Sequence, residues 1–86
     1  MYKIKLNIKI YDYLINILDE KLKNRIKDSI YEKDNVYFHM DVDTKLDIME
    51  YVEDKQLEIG FINEDYLNED GKKLQTIYDE IYFQTN

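Results

Sequence analysis

The residues with the clearest potential for chemistry form one short group, His39, Asp41 and Asp43. At spacings of i, i+2 and i+4 these side chains would point to one face of an extended strand. A histidine with two carboxylates can hold a divalent metal and a water molecule. The end of an exposed strand followed by a helix cap accounts for the same residues, and we favour that interpretation. We therefore expect neither a metal nor another cofactor.

Other catalytic arrangements have few residues to draw on. The chain has one histidine and no cysteine, and its only serine is Ser29, so pairs of a nucleophile and a base are almost excluded. Residues 63–71 are acidic, but they do not follow the alternating ligand spacing of an EF-hand calcium loop. The sequence predicts a protein that is not an enzyme.

Charge is the most unevenly distributed property of the 86 residues. Residues 1–33 carry eight basic and five acidic side chains, a sum of +3, whereas residues 34–86 carry four basic and fourteen acidic ones, a sum of −10. Between Asp41 and Asp70, eleven carboxylates are accompanied by two lysines. The net charge of −7 repels nucleic acid and anionic membranes and attracts basic protein surfaces. We expect no direct binding of nucleic acid and no membrane association.

Length and composition indicate a single compact domain spanning residues 1–86. The absence of cysteine fits a reducing compartment. The first residues alternate lysine with apolar side chains and lack the apolar block of a signal peptide. No apolar run approaches the ~20 residues needed to cross a bilayer. The expected location is the cytoplasm.

Hydrophobic periodicity predicts an α+β fold, with a small, mostly antiparallel sheet and helices packed on one of its faces. The expected order of elements is β-α-β-α-β-α. Alternation of apolar and polar residues predicts strands at 2–10, 36–42 and 57–61. Helical spacing predicts helices at 13–33, at 43–55 and at 72–83, the last with a strand as the alternative. Asp12 is the expected cap of the first helix.

The remaining segment, 63–71, has the composition of an exposed acidic loop ending in a turn at Asp70-Gly71. Gly60 falls within the third predicted strand, where a glycine indicates a bulge or a close approach of two backbones.

Four carboxylates on the predicted second helix are spaced to lie along one side, and we call Asp43, Asp47, Glu50 and Asp54 the acidic row. Like charges at i,i+4 destabilise a helix by ~0.2–0.5 kcal/mol per pair, and no lysine at that spacing offsets them. An acidic row that destabilises its own helix indicates that the row is used in binding. Together with the acidic loop and nearby tyrosines, the predicted partner-binding residues are Asp41, Asp43, Asp47, Glu50, Tyr51, Asp54, Glu64, Asp65, Tyr66, Glu69 and Asp70.

A fixed set of carboxylates beside tyrosines suits a protein groove built for nucleic-acid phosphate. The chain lacks alanine and proline and has eleven lysines to one arginine, which is typical of an AT-rich genome such as that of a low-GC bacterium or its phage. In composition it resembles the broad class of small, acidic, cysteine-free phage-encoded inhibitors, which includes nucleic-acid mimics and anti-CRISPR proteins. That resemblance implies an inhibitor in the host cytoplasm whose partner is the basic surface of a nucleic-acid-binding protein.

Two other functions fit the same charges. An immunity or antitoxin protein could mask a cationic toxin. A self-associating structural or regulatory domain, a homo-oligomer, could bring the basic half of one copy against the acidic half of another.

Overall fold

Seven helices and strands are present in the residues that the computed structural model describes, 1–60 and 66–86. In chain order they are β1 (Tyr2–Asn7), α1 (Ile8–Ile17), α2 (Glu20–Lys23), β2 (Lys27–Glu32), β3 (Asn35–Met40), α3 (Val42–Ile59) and α4 (Glu69–Thr85). The predicted fold class is confirmed, because the protein is a small α+β domain with an antiparallel sheet.

The sheet has three strands in the order β1-β3-β2, and both pairings are antiparallel. Ile4 of β1 lies opposite Phe38 of β3, and both side chains are completely buried. The buried side chains of β1 and β3, which are Ile4, Leu6, Val36, Phe38 and Met40, therefore point to one face, where α1 and α4 pack. None of the described helices covers the opposite face, which carries the alternating lysines of β1.

The helices complete a single core with the inner face of the sheet. Leu14 of α1 and Leu74 of α4 are fully buried next to the sheet. Helix α3 packs mainly along α4 and buries Ile48 and Val52 there. Helix α3 consequently keeps one side in the core and presents the other side to solvent.

Helices α3 and α4 are joined by a close contact between the chain's two glycines. A Cβ atom on Gly71 would overlap the carbonyl oxygen of Gly60, and a Cβ atom on Gly60 would lie 3.0 Å from the Cα of Gly71. Asn68 fixes the same corner, since its Oδ1 accepts from the Gly71 N–H at 2.8 Å and its Nδ2 donates to the Ile59 carbonyl at 2.7 Å. The close backbone approach predicted at Gly60 is confirmed, although it occurs at a helix end and not in a strand.

The predicted long helix over 13–33 is wrong. Helix α1 ends where Leu18 becomes extended, and Asp19 then caps the short α2 by accepting from the Leu22 N–H at 2.8 Å. Asp28 has a φ of 54°, which a helix interior does not accommodate, and it is the second residue of β2. The apolar spacing of the predicted helix over 13–33 includes Ile30 on its buried side, whereas Ile30 is exposed on β2. Local capping and the β-propensity of Ile30 and its neighbour Tyr31 outweigh the helical spacing.

Two predicted strands also differ from the structure. The first strand stops at Asn7, whose Oδ1 accepts from the Lys9 N–H at 2.9 Å and starts α1, so Asp12 is an exposed helical residue and not the cap. The predicted strand at 57–61 is wrong for Leu57 and Ile59, which continue α3, while Phe61 lies outside the described residues. No helix-breaking residue lies within α3 before Gly60, and packing against α4 stabilises the helix as far as Ile59.

These changes give the observed order β-α-α-β-β-α-α in place of β-α-β-α-β-α. The predicted strand at 36–42 is present as β3, ending at Met40, and the predicted helix at 72–83 is confirmed as part of α4. Helix α4 begins at Glu69, so Asp70-Gly71 is its first turn and not a loop turn. No helix among the described residues has the length and apolar character to cross a membrane.

Candidate functional site

Helix α3 is anchored at its start by Asp41. The Asp41 carboxylate accepts a hydrogen bond from the Thr44 N–H at 2.8 Å. This bond, with the Thr44 hydroxyl and the nearby Arg25, lowers the pKa of Asp41 below its usual value. Asp41 therefore serves the fold as a helix cap, and its carboxylate is already partnered.

The solvent side of α3 carries six exposed carboxylates, which we call the α3 acidic face: Asp43, Asp47, Glu50, Glu53, Asp54 and Glu58. The four members of the predicted acidic row are indeed brought together on this side. From Asp43 to Glu58 the helix rises by ~22 Å, so there is one carboxylate for about every 4 Å of axis. A single strand of B-DNA has one phosphate per ~3.4 Å. The axial spacing of carboxylates along α3 is therefore close to the spacing of phosphates along one nucleic-acid strand.

Two cations reach the edges of the α3 acidic face. Arg25, in the linker after α2, donates from its NH1 to Asp47 at 2.7 Å and from its Nε to the Thr44 hydroxyl at 3.1 Å. The hydrogen bond to Asp47 raises the pKa of the guanidinium above its ordinary value. Lys55 lies 3.9 Å from Glu58. No lysine at i,i+4 spacing offsets the acidic row, but Arg25 offsets the repulsion at Asp47 from outside the helix.

A shallow groove between α3 and α4 borders the α3 acidic face. The groove has a volume of about 290 Å³ and is lined by Glu53, Gln56, Leu57, Gln75 and Tyr78. Gln56 Nε2 donates to Gln75 Oε1 at 3.0 Å, and Gln75 Nε2 donates to Asp79 Oδ1 at 2.8 Å, so the two side-chain amides are held in place.

Two apolar side chains lie on the same outer side of α3. Leu57 is 70% exposed and Leu46 is 55% exposed. The surface thus combines negative charge with apolar contact area, a composition suited to binding protein.

The tyrosines of the predicted set have different roles. Tyr51 is half-buried, and its hydroxyl donates to the Ile17 carbonyl at 2.5 Å, which ties α3 to the end of α1. The ammonium of Lys55 lies 5.8 Å from the centre of the Tyr51 ring. Tyr66 is exposed. Tyr51 is therefore a structural residue beside the α3 acidic face, and only Tyr66 is free to contact a partner with most of its ring.

The acidic loop predicted to join the acidic row is only partly described. Glu64 and Asp65 lie outside the described residues. Glu69 pairs with Lys72 at 3.6 Å within the first turn of α4. Asp70 accepts a hydrogen bond from the Tyr13 hydroxyl of α1 at 2.8 Å. Burial and this contact raise the pKa of Tyr13 to about 12.

The structure therefore assigns Asp70 to the contact between α4 and α1, and it does not bring Asp70 into the α3 acidic face.

The group His39, Asp41 and Asp43 does not form a site. His39 belongs to β3, Asp41 is the cap of α3 and Asp43 lies in the first turn of that helix, so the strand alternation that would align them ends at Met40. Within residues 1–60 and 66–86, no group of three or more histidine, aspartate or glutamate side chains could hold a metal ion.

Sequence reasoning missed Glu53, Glu58 and Leu57 as members of the surface. Glu58 lies four residues after Asp54 and would have extended the acidic row if α3 had been predicted to continue beyond Lys55. The sequence pattern places Leu57 in the predicted strand at 57–61. The signal for both was the absence of any helix-breaking residue between Asp43 and Gly60.

Comparison of the chain with protein-family models, with curated proteins and with solved structures finds no match.

Proposed function

We propose that this protein is a non-enzymatic inhibitor that binds the basic surface of a nucleic-acid-handling protein through the α3 acidic face. The observation that carries the proposal is the array of six exposed carboxylates along the solvent side of one helix, at an axial spacing similar to that of phosphates in a nucleic-acid strand. A cationic groove shaped for phosphate would accept this array and would then be closed to nucleic acid.

Two features of α3 support binding over simple solubility. The helix is held at its start by the Asp41 cap and at its end by the contact of Gly60 with α4, so the carboxylates have fixed positions. Preorganised charges lose little conformational entropy on binding. Exposed Leu57 and the neighbouring groove offer apolar contact beside the charges. A surface that served solubility alone would require neither feature.

The resemblance in composition to phage-encoded inhibitors extends this proposal to a natural context. In that context the partner is a host protein that handles nucleic acid, such as a component of a defence system, and the site of action is the host cytoplasm. The proposal about the α3 acidic face does not depend on which host protein is bound.

Affinity capture from a bacterial lysate, with DNA as the competitor, tests the proposal. The test variant neutralises four carboxylates of α3: Asp43→Asn, Glu50→Gln, Glu53→Gln and Asp54→Asn. A control variant removes the same number of charges elsewhere on exposed positions: Asp12→Asn, Glu20→Gln, Asp34→Asn and Glu80→Gln. Because the two variants have equal net charge, any difference between them reports the position of the carboxylates.

The expected result is a captured nucleic-acid-binding protein that DNA displaces and that added salt releases. We expect the α3 variant to bind it roughly tenfold or more weakly, and the control variant to bind it as the wild type does. Equal weakening of both variants would show that bulk charge is responsible. Unchanged binding by the α3 variant would place the interface on another surface.

A further inference from the structure

The solvent-facing side of the sheet carries a second surface, which the proposed function does not use. Residues paired directly across antiparallel strands point to the same face. Lys3 and Lys27 are both paired with His39, and Lys5 and Ile30 are both paired with Tyr37. We call these six residues, which span all three strands, the open sheet face: Lys3, Lys5, Lys27, Ile30, Tyr37 and His39.

The open sheet face is cationic around an apolar centre. Ile30 is 57% exposed at the middle of β2, and the Lys3 ammonium lies 5.3 Å from the centre of the Tyr37 ring. A shallow depression of about 260 Å³ lies between Lys3, Ile30, Tyr37 and Glu32. Lys3 lines the depression with the isoleucine, the tyrosine and Glu32. Lys5 and Lys27 lie on the same face of the sheet, and the Lys27 ammonium donates to the Asn24 carbonyl at 3.2 Å. An occupant of this face should be anionic and should carry apolar side chains at its centre.

Helix α3 has that chemistry. Leu46 and Leu57 are exposed on the solvent side of α3 among the six carboxylates of the α3 acidic face. Their positions differ by eleven residues, which corresponds to ~16 Å of helix axis. Strands of six residues are ~20 Å long, so both leucines fit within the length of the sheet. Helices α1 and α4 already pack in the same general manner on the other face of the sheet.

We infer that the open sheet face of one copy of this protein binds the α3 acidic face of a second copy. The two surfaces belong to opposite layers of the fold, since α3 lies with the helices that cover the other side of the sheet. The two surfaces of one molecule therefore cannot contact each other, so the contact joins unlike surfaces of two molecules, head to tail. Such a contact leaves one free surface of each kind at the ends and can extend into chains.

Apolar contact decides between this occupant and a nucleic acid. The net charge of −7 opposes the approach of a single-stranded nucleic acid and of a second copy alike, and the three lysines of the open sheet face would neutralise few phosphates. The α3 acidic face of a second copy offers carboxylates together with two exposed leucines. The second copy is therefore the better match to a face with an apolar centre.

The contact is small, and this sets its strength. One helix lying on three short strands buries less than the ~800 Å² per partner that stable complexes use. The association is consequently weak and depends on salt.

Because it uses the α3 acidic face, it competes with binding of the partner described under the proposed function. High local concentration of the protein would then keep that face covered until a tighter-binding cationic partner displaces the neighbouring copy.

The test uses two variants of the purified 86-residue chain in the absence of any partner. A sheet variant carries Lys3→Gln, Lys5→Gln and Lys27→Gln. A helix variant carries Glu50→Gln, Glu53→Gln and Asp54→Asn. Neutral replacements are used because reversed charges on both variants would create a new complementary pair. Circular dichroism and the melting temperature confirm that each variant is folded.

Sedimentation at about 20 mM salt and about 1 mM protein is expected to give an average mass above that of one chain, returning to one chain at about 500 mM salt. Each variant alone should remain monomeric at low salt. A mixture of the two retains a single complementary junction and should stop at a dimer.

A wild type that is monomeric at low salt would overturn the inference, as would a mixture of the variants that stays monomeric. Binding of a single-stranded oligonucleotide by the wild type but not by the sheet variant would also overturn it, by assigning the open sheet face to nucleic acid. The sheet variant keeps its α3 acidic face intact and should still capture the cationic partner, so failure of self-association leaves the proposed function separately testable.

Discussion

Arg25 and Asp47 form a hydrogen-bonded ion pair of 2.7 Å that links the basic half of the chain to the α3 acidic face. Arg25 is the only arginine in the sequence, and it also holds the Thr44 hydroxyl. The pair makes the carboxylates of α3 unequal. Asp47 is compensated within the protein, whereas Asp54, also exposed on α3, has no ion-pair partner among the described residues.

This inequality predicts an order of effects on partner binding. Replacing Asp54 by Asn should weaken binding of a cationic partner several-fold, because a free charge is lost. Replacing Asp47 by Asn should have a smaller effect, because its charge is already offset. Arg25→Gln should strengthen binding by exposing Asp47. Titration calorimetry with the captured partner measures all three variants, and a larger loss for Asp47 than for Asp54 would show that Arg25 opens when the complex forms.

The contact between Gly60 and Gly71 predicts the sign of a substitution that helix propensity alone would misjudge. Alanine is normally more favourable than glycine inside a helix, by about 1 kcal/mol. Gly71→Ala should nevertheless destabilise the protein by ~1–3 kcal/mol, because the new Cβ would overlap the Gly60 carbonyl. For a domain of this size, that loss lowers the melting temperature by at least about 4 °C. Lys72→Ala, at the next and exposed position, is the control and should change stability little.

The Asp41 cap predicts a specific acid dependence of stability. The pKa of Asp41 is lower in the folded protein than the ordinary value of 3.8, chiefly because its carboxylate accepts from the Thr44 N–H. The unfolded chain therefore binds this proton more readily. The contribution of the charged cap is complete above pH 3.8 and is lost as the pH falls through the lower, folded value.

Asp41→Asn retains a capping oxygen but does not titrate. Its melting temperature should therefore fall less steeply than that of the wild type as the solution becomes acidic. Asp41→Ala should be the least stable of the three proteins at neutral pH. Thermal melts across the acid range give the comparison, and an equally steep acid dependence in Asp41→Asn would rule out this assignment.

Gln84 of α4 protects the free edge of β1. Its side-chain oxygen accepts from the Lys5 N–H at 2.7 Å, and its side-chain nitrogen donates to the Lys5 carbonyl at 2.7 Å, so the amide takes the place of a neighbouring strand. Gln84→Ala should cost about 1 kcal/mol and leave the edge open to pairing. Gln84→Glu keeps the acceptor but loses the donor and places a second carboxylate against Glu80, which accepts from the Gln84 side-chain nitrogen at 2.7 Å, so it should be at least as destabilising as Gln84→Ala. Denaturant unfolding tests this order, and a wild-type midpoint for Gln84→Ala would contradict it.

Much of the fold could be predicted because its strongest periodic signals lie in β1 and β3, and because the spacing of apolar residues over 72–83 favours the observed helix α4 over the alternative of a strand. Alternation in Ile4 and Leu6, and again in Val36 and Phe38, identifies the two strands whose buried faces form the inner side of the sheet. The stretch from 18 to 30 could not be predicted in the same way. Its apolar residues keep helical spacing, but Asp19 caps a new helix and Asp28 adopts a positive φ. Both features depend on local backbone conformation and hydrogen bonding, which hydrophobic spacing does not report.

The candidate site was predictable where it depends on helical spacing and not where it depends on distant contacts. Asp43, Asp47, Glu50 and Asp54 share the solvent side of α3 as expected. The engagement of Asp47 by Arg25 and of Asp70 by Tyr13 joins residues 22 and 57 positions apart. Spacing along a single helix contains no information about such pairs. The carboxylates of α3 that lack an ion-pair partner could therefore be identified only from the folded protein.

The most direct measurement for the central claim is carboxyl footprinting of the complex between this protein and its captured partner. Solvent-exposed carboxylates are labelled chemically in the free protein and in the complex, and mass spectrometry quantifies the labelling of each residue. We predict that labelling of Glu50, Glu53 and Asp54 falls on binding, while labelling of Asp12 and Asp34 stays unchanged. Unchanged labelling along α3, with protection confined to residues 1–33, would contradict the account.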